Sequence, residues 1–144
     1  MKIYLDNCTF NRPFDDQSRV RIRIESEAKL YIQEKVKEGK LQLVWSFILD
    51  YENQQNPFEE RKLAILKWRR LAEIDIEESE ELIRKAKELR SRGLREKDAL
   101  HVASAIKTGA KYFITTDDSI IKKLITNEEI RVMNPVDFIL EMEE

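Results

Sequence analysis

Short apolar runs alternate with longer amphipathic stretches along this chain. Ile3-Tyr4-Leu5 is apolar and meets polar residues at once, the pattern of a buried strand ending at Asp6. Asn7 to Gln17 is polar, with Asn11-Arg12-Pro13 and Asp15-Asp16, and reads as a loop. Ser18 is placed to cap a helix running to about Lys37, with Ile22, Ala28, Leu30, Ile32 and Val36 among its apolar positions and Gly39 at its end. Leu41 to Trp45 reads as a second strand. Ser46 then opens a helical stretch from Phe47 to Gln54, which Asn56-Pro57 breaks.

The spacing predicts a further helix from Phe58 to about Arg70, with Leu63, Ala64 and Leu66 facing inward, then a short extended linker over Glu73 to Ile76. Glu77 to Arg90 is amphipathic and stops near Gly93. Arg95 to Thr108 carries Ala99, Val102, Ala103 and Ile106 on one face and is closed by Gly109. Tyr112 to Thr115 reads as a strand, and Thr116-Asp117-Asp118-Ser119 begins a helix to about Leu124. Ile130 to Met133 is one more strand, and Asn134-Pro135 starts the C-terminal helix. Short apolar strands separated by helices imply an α/β fold in three layers, α/β/α. Its central parallel sheet would have four to five short strands flanked by helices.

The length, 144 residues, suits a single domain spanning 1–144. A chain of this size buries roughly 70% of its unfolded surface, enough for a core without covalent staples. Its one cysteine, Cys8, rules out an internal disulfide and fits a reducing compartment. No signal-like or membrane-length apolar run is present, so a soluble, cytoplasmic protein is expected. Charged residues make up 38% of the chain, yet the net charge is only −2. That balance lacks the overall basic character usual in nucleic-acid binders, so any case for RNA must rest on a local site.

In a parallel α/β sheet, ligands bind beyond the carboxyl ends of the strands. Asp6 follows the first strand directly. Ser46, Asp50 and Glu52 follow the second. Asp117 and Asp118 follow the Tyr112 strand, and Asp98 lies in the first turn of the helix leading into it. Carboxylates gathered at one edge repel unless they are protonated or bridged by a cation. Oxygen ligands of this kind suit Mg²⁺ or Mn²⁺, which can polarise a phosphodiester and lower the pKa of a bound water. Each acid also has a plainer reading, as turn former, helix cap or complement to a helix dipole. Their coincidence says more than any one of them.

Three segments resemble the PIN-domain nucleases, especially the compact toxins of toxin–antitoxin pairs. They are Ile3-Tyr4-Leu5-Asp6, Ser46-Phe47-Ile48-Leu49-Asp50-Tyr51-Glu52, and Lys97 to Ala105 followed by Tyr112-Phe113-Ile114-Thr115-Thr116-Asp117. The resemblance implies a metal-dependent endoribonuclease in which Asp6, Glu52, Asp98 and Asp117 are the catalytic acids and hold Mg²⁺ (or Mn²⁺). It implies cleavage that leaves a 5′-phosphate and a 3′-hydroxyl. Thr115 matches a hydroxyl that in the family lies near metal or phosphate. Ser46, Asn7 and Arg12 join it as candidate substrate contacts. The resemblance also implies an RNA substrate, an antitoxin protein as partner, and a homodimer.

Two alternatives within the acid set stay open. Asp50 and Glu52 are two apart, about 200° around a helix, so both cannot face one metal. The family pattern selects Glu52 and leaves Asp50 to solvent. Asp118 doubles Asp117. After its first acid the family commonly has Thr or Ser, then Asn or Ser; here Asn7 and Cys8 stand instead, and a thiol is a poor donor.

His101, three residues after Asp98, shares its helix face and is expected at the rim of the site. Cys8 has no recognisable partner for a nucleophilic role. Arg12, Arg19, Arg21 and Arg23 could meet phosphates, though Glu25 and Glu27 make a solvated face the plainer reading; Lys122 and Lys123 are a weaker group. Trp45 and Trp68 are expected in a core or dimer interface. Two other functions compete: a PIN-like module that binds RNA or protein without cutting, and a phosphotransfer domain. The last fits poorly, because Cys8 stands where a phosphatase wants its second acid and Thr115-Thr116-Asp117 where a receiver wants Lys.

Overall fold

The computed structural model describes residues 1–143. Five parallel strands form one sheet: β1 Lys2–Leu5, β2 Gln42–Ser46, β3 Ala72–Ile76, β4 Tyr112–Ile114 and β5 Arg131–Met133, in the order β3-β2-β1-β4-β5. The expected three-layer α/β/α architecture is present, at the upper end of the expected strand number. The Glu73–Ile76 segment is corrected from linker to edge strand. Its residues alternate between half-buried and exposed, with Glu73 and Asp75 outward, so it lacks the continuous apolar run of β1 or β4.

Among the described residues, seven α-helices connect the strands, α1 Asn7–Asn11, α2 Val20–Lys37, α3 Phe47–Gln54, α4 Glu59–Leu66, α5 Glu80–Arg90, α6 Glu96–Lys107 and α7 Asp118–Lys123, and α8 Pro135–Met142 follows the last strand. Crossovers in parallel sheets are right-handed. The steps β1 to β2 to β3 run one way from the centre, and those from β3 to β4 to β5 run the other. One handedness therefore puts their helices on opposite faces. α2 packs against α8, and α5 against α6.

Several helix boundaries differ from the expected ones. The Asn7–Gln17 loop contains α1 and a 3₁₀ turn over Arg12–Phe14. Asp6 caps α1, a local device that overrides the polar composition. Ser18 does not cap α2; its N–H donates to Asp16, and Arg19 occupies the cap position. The helix after Pro57 ends at Leu66 and tightens to 3₁₀ over Lys67–Leu71. There Ile65 is the inward residue; Leu63 and Leu66 are exposed, as is Leu30 on α2. Gly39 and Gly109 close α2 and α6 with φ of +75° and +77°, a backbone that a Cβ would strain.

The core is built on β1, β2 and β4. Ile3, Tyr4, Leu43, Val44, Trp45, Phe113 and Ile114 are completely buried, and Tyr4 stacks on Phe113 at 5.3 Å. Each such side chain contributes roughly 1.5–3 kcal/mol on leaving water. Trp45 lies in this core, and Trp68 packs partly buried against it.

Candidate metal centre

β1 lies at the middle of the sheet, where the strand order reverses between β2 and β4. That is the crevice in which an open α/β sheet binds ligands. Asp6 stands at its mouth, only 5% exposed. Its Oδ1 accepts the Asn7 N–H at 2.8 Å, and its Oδ2 accepts the Thr115 hydroxyl at 2.8 Å. Thr115, at the end of β4, is fully buried. Its Oγ1 also accepts the backbone N–H of Asp117 at 3.1 Å, so one hydroxyl ties two strand ends together.

Cys8 lies against the same carboxylate, 3.4 Å from Asp6 Oδ2 and 3.3 Å from Thr115 Oγ1. Burial, reinforced by the Asp6 charge, pushes its thiol up to about 12. It stays protonated and can donate. The unusual Asn7-Cys8 pair thus still supplies Asp6 with two donors. Asn7 reaches further: its side-chain N–H₂ lies 3.4 Å from Glu52 Oε2.

Glu52 enters from α3, and its other oxygen is hydrogen-bonded to His101 Nε2. Burial alone would push this carboxyl up; the hydrogen bond and charge of His101, helped by Lys97, hold it below its ordinary value. Asp50 is not left to solvent. Its carboxylate accepts the Trp45 indole N–H at 2.8 Å and lies 3.7 Å from Arg69.

Asp98, in the first turn of α6, is half-buried. Burial, then the charges of Asp6 and Asp117, raise its carboxyl to about 6. Asp117 caps α7 by accepting the Ser119 N–H at 2.9 Å and is exposed. Asp118 turns away into a two-pronged pair with Arg21, 2.8 Å to each oxygen.

Three expected contacts sit differently from their expected roles. Ser46 is fully buried, capping α3 through Leu49 N–H and bonding Tyr4 Oη at 2.6 Å, so it has no face for substrate. Arg12 is engaged by Glu25 at 2.8 Å and Asp15 at 3.3 Å. His101 is completely buried beneath the acids rather than at the rim, with Nδ1 2.6 Å from Tyr4 Oη. Sequence reasoning missed Tyr4 altogether, since nothing in its own segment marks it as more than an apolar strand residue.

The donors are carboxylate oxygens, which fit a hard divalent cation, and the repulsion that raises Asp98 is what such a cation relieves. Among the described residues, no three His, Cys, Asp or Glu side chains stand close enough together to enclose an ion as they lie.

A central parallel sheet with acids at its switch point defines an α/β protein with a crevice suited to a cation. The family model described as "PIN domain" matches residues 3–124, so the chain belongs to the PIN-domain family, whose members are generally nucleases. No curated protein matches it. Among solved structures, FitAcB from Neisseria gonorrhoeae is similar with a TM-score of 0.60 at 16% identity, covering 92% of this chain and 97% of that one. VapBC-1 from nontypeable Haemophilus influenzae gives 0.60 at 16%, covering 94% and 98%. VapBC2 from Rickettsia felis, bound to a DNA fragment from their promoter, gives 0.58 at 17%, covering 93% and 98%.

Proposed function

We propose that this chain is a metal-dependent endoribonuclease and the toxin of a toxin–antitoxin pair. The observation that carries this reading is the approach of Asp6 and Glu52 at one strand end, spanned by Asn7 and His101, with Asp98 near enough to feel both charges. Burial raises the Asp98 carboxyl most, and the charges of Asp6, Asp117 and Glu52 add to it. Asp6, Glu52, Asp98 and Asp117 would hold Mg²⁺ or Mn²⁺, which when bound polarises the phosphodiester and makes a water acidic enough to attack. Thr115 and Cys8 fix Asp6 from one side, and Asn7 spans the gap between Asp6 and Glu52. Asn7, half-buried at the mouth of the crevice, is the best placed of the expected substrate contacts.

The test is cleavage of a mixed RNA pool with and without Mn²⁺. Metal-dependent cutting is expected from wild type and none from Asp6→Asn. Equal cutting by the two proteins would refute the assignment.

The similarity to VapBC and FitAcB supports an antitoxin partner. Phe58, Leu63, Leu66 and Leu71, all exposed along α4 and the turn after it, offer an apolar surface for that partner or for a homodimer. Among the described residues no helix is long and apolar enough to cross a membrane. The spread of the carboxylates favours one second reading, a module that binds RNA or protein without cutting. Calorimetry separates the two: no heat on Mn²⁺ titration would favour the module.

A further inference from the structure

We propose that His101 is a positioning residue that aims Glu52 into the acid site, at the end of a buried hydrogen-bonded chain running Ser46–Tyr4–His101–Glu52. The proposal rests on the reading above only in counting Glu52 as an acid of that site.

The chain is assembled from four separate elements. Ser46 closes β2, Tyr4 is in β1, His101 is in α6 and Glu52 is in α3. Ser46 Oγ and Tyr4 Oη are 2.6 Å apart, and Tyr4 Oη is 2.6 Å from His101 Nδ1. The opposite ring nitrogen bonds Glu52 and stands 3.8 Å from Asp6 Oδ1. Ser46, Tyr4 and His101 are each 0–1% exposed, so none of them can touch a substrate directly.

The partners fix the direction of the protons. An ionised carboxylate only accepts, so Nε2 carries a hydrogen towards Glu52. While the ring is neutral, Nδ1 accepts from the Tyr4 hydroxyl. The Tyr4 oxygen accepts from Ser46, whose oxygen accepts the Leu49 N–H at 3.2 Å. Every donor in the chain finds an acceptor.

The imidazole itself is clamped. It meets Tyr4 edge-on with centroids 5.7 Å apart, and Tyr4 is stacked on Phe113. A packing residue alone would serve as well with an apolar side chain. A buried ring with both nitrogens satisfied, one of them by a half-buried carboxylate, acts on that carboxylate. Free glutamate samples many rotamers, and fixing a long side chain costs up to roughly 2 kcal/mol of entropy. Here the cost is met on folding, through a ring locked to two strands. Outer partners of metal ligands work in this way.

Two measurements on the full-length chain test this. The first is Mn²⁺ affinity by calorimetry for wild type, His101→Leu, His101→Gln, Tyr4→Phe and Glu52→Gln, with folding checked by circular dichroism. His101→Leu should weaken binding about 10- to 100-fold, the usual cost of losing an outer partner. His101→Gln, which keeps an N–H near the Nε2 position, should recover most of that loss. Tyr4→Phe should weaken binding a few-fold. In the Glu52→Gln background, His101→Leu should add little.

The second measurement follows the Glu52 carboxyl ¹³C resonance without metal. It should shift in His101→Leu and stay near wild type in His101→Gln. Equal losses for Leu and Gln, full additivity with Glu52→Gln, or an unmoved Glu52 resonance would overturn the proposal. If His101→Leu does not fold, Tyr4→Phe and His101→Gln decide between the same outcomes. Mn²⁺ binding without RNA cleavage would sink the nuclease reading alone. A shifted Glu52 resonance in a chain that binds no Mn²⁺ would do the same and leave His101 in its role.

Discussion

Two of the regions in which this protein buries charge do so in opposite ways. At the mouth of the sheet, Asp6 is only 5% exposed, yet each of its oxygens receives a hydrogen bond. On the inner side of α2, Lys29 is 3% exposed. Its ammonium lies 5.3 Å from the Phe10 ring centroid and 5.2 Å from that of Trp68. Among the described residues it makes no salt bridge. Lys37, 5.5 Å from the same Trp68 ring centroid, adds like charge. Burial and that neighbour drop the Lys29 pKa to about 7. One region holds its charges with partners and concentrates them on a crevice. The other leaves its cation with aromatic faces alone, which compensate about 0.5–2 kcal/mol at best. Burial of charge marks a site only where donors and open space converge on it.

The largest effect that could break this contrast is on activity. Asp6→Asn should lower RNA cleavage about 10³-fold or more, because a lost ligand removes several kcal/mol of transition-state stabilisation. Its melting temperature should stay near wild type, as the amide oxygen still accepts the Asn7 N–H and the amide N–H₂ can donate to the Thr115 hydroxyl in place of accepting from it. A parallel assay of cleavage rate and thermal melting checks both halves.

Next in size is Lys29→Met, which should stabilise the fold by roughly 2–4 kcal/mol at pH 7 in urea denaturation, once lost cation–π contacts are allowed for. The unfolded chain keeps this proton up to 10.5 and the folded chain releases it near 7. Stability attributable to Lys29 therefore rises with pH between those values and is flat below 7. The advantage of the Met variant should shrink from pH 7 towards pH 10. An unchanged advantage would show that Lys29 titrates normally.

Asp98→Asn should have a smaller effect, with the same physics inverted. The folded carboxyl at about 6 lies above its ordinary 3.8, so metal-free stability falls as pH rises between the two, and the full cost is present above 6. Since the group is about half exposed, the variant should gain only about 1 kcal/mol at pH 7 and nothing at pH 3.5. Denaturation of metal-free protein at both values reads this directly.

Smallest of all is Asp118→Ala, which leaves Arg21 paired with Glu25. Arg21 and Asp118 are 54% and 58% exposed at their side chains, and such pairs contribute roughly 0–1 kcal/mol. A loss beyond about 1 kcal/mol in the same urea assay would mean that the pair braces the Asp117 turn.

How far these regions could be read beforehand differs for a physical reason. β1, β2 and β4 are legible because strands buried on both faces are continuously apolar, and the acids that follow them stand out against such runs. β3 is not, because an edge strand exposes alternate residues and its Glu73 and Asp75 look like linker. The inward turn of Ile65, rather than Leu63 and Leu66, follows from a helix only eight residues long that gives way to 3₁₀. Within the site, spacing along α6 puts His101 on the face of Asp98. Its burial depends on Tyr4, 97 residues away, and on Glu52, 49 residues away. Asp50 is occupied by the indole of Trp45, a contact that only the packed strand reveals. Lys29 gives no signal in sequence at all, since one lysine among the 26 basic residues is unremarked until the aromatic rings close over it.

The pairing of β1 with β4 joins Leu5 to Ile114, and the Thr115 hydroxyl reaches back 109 positions to Asp6. During synthesis, then, the first acid waits without its Thr115 partner on the ribosome until β4 has emerged. A nascent chain has no assembled crevice, and a premature stop before β4 leaves the acids scattered. The topology itself delays assembly of the crevice until β4 has been made and has paired with β1.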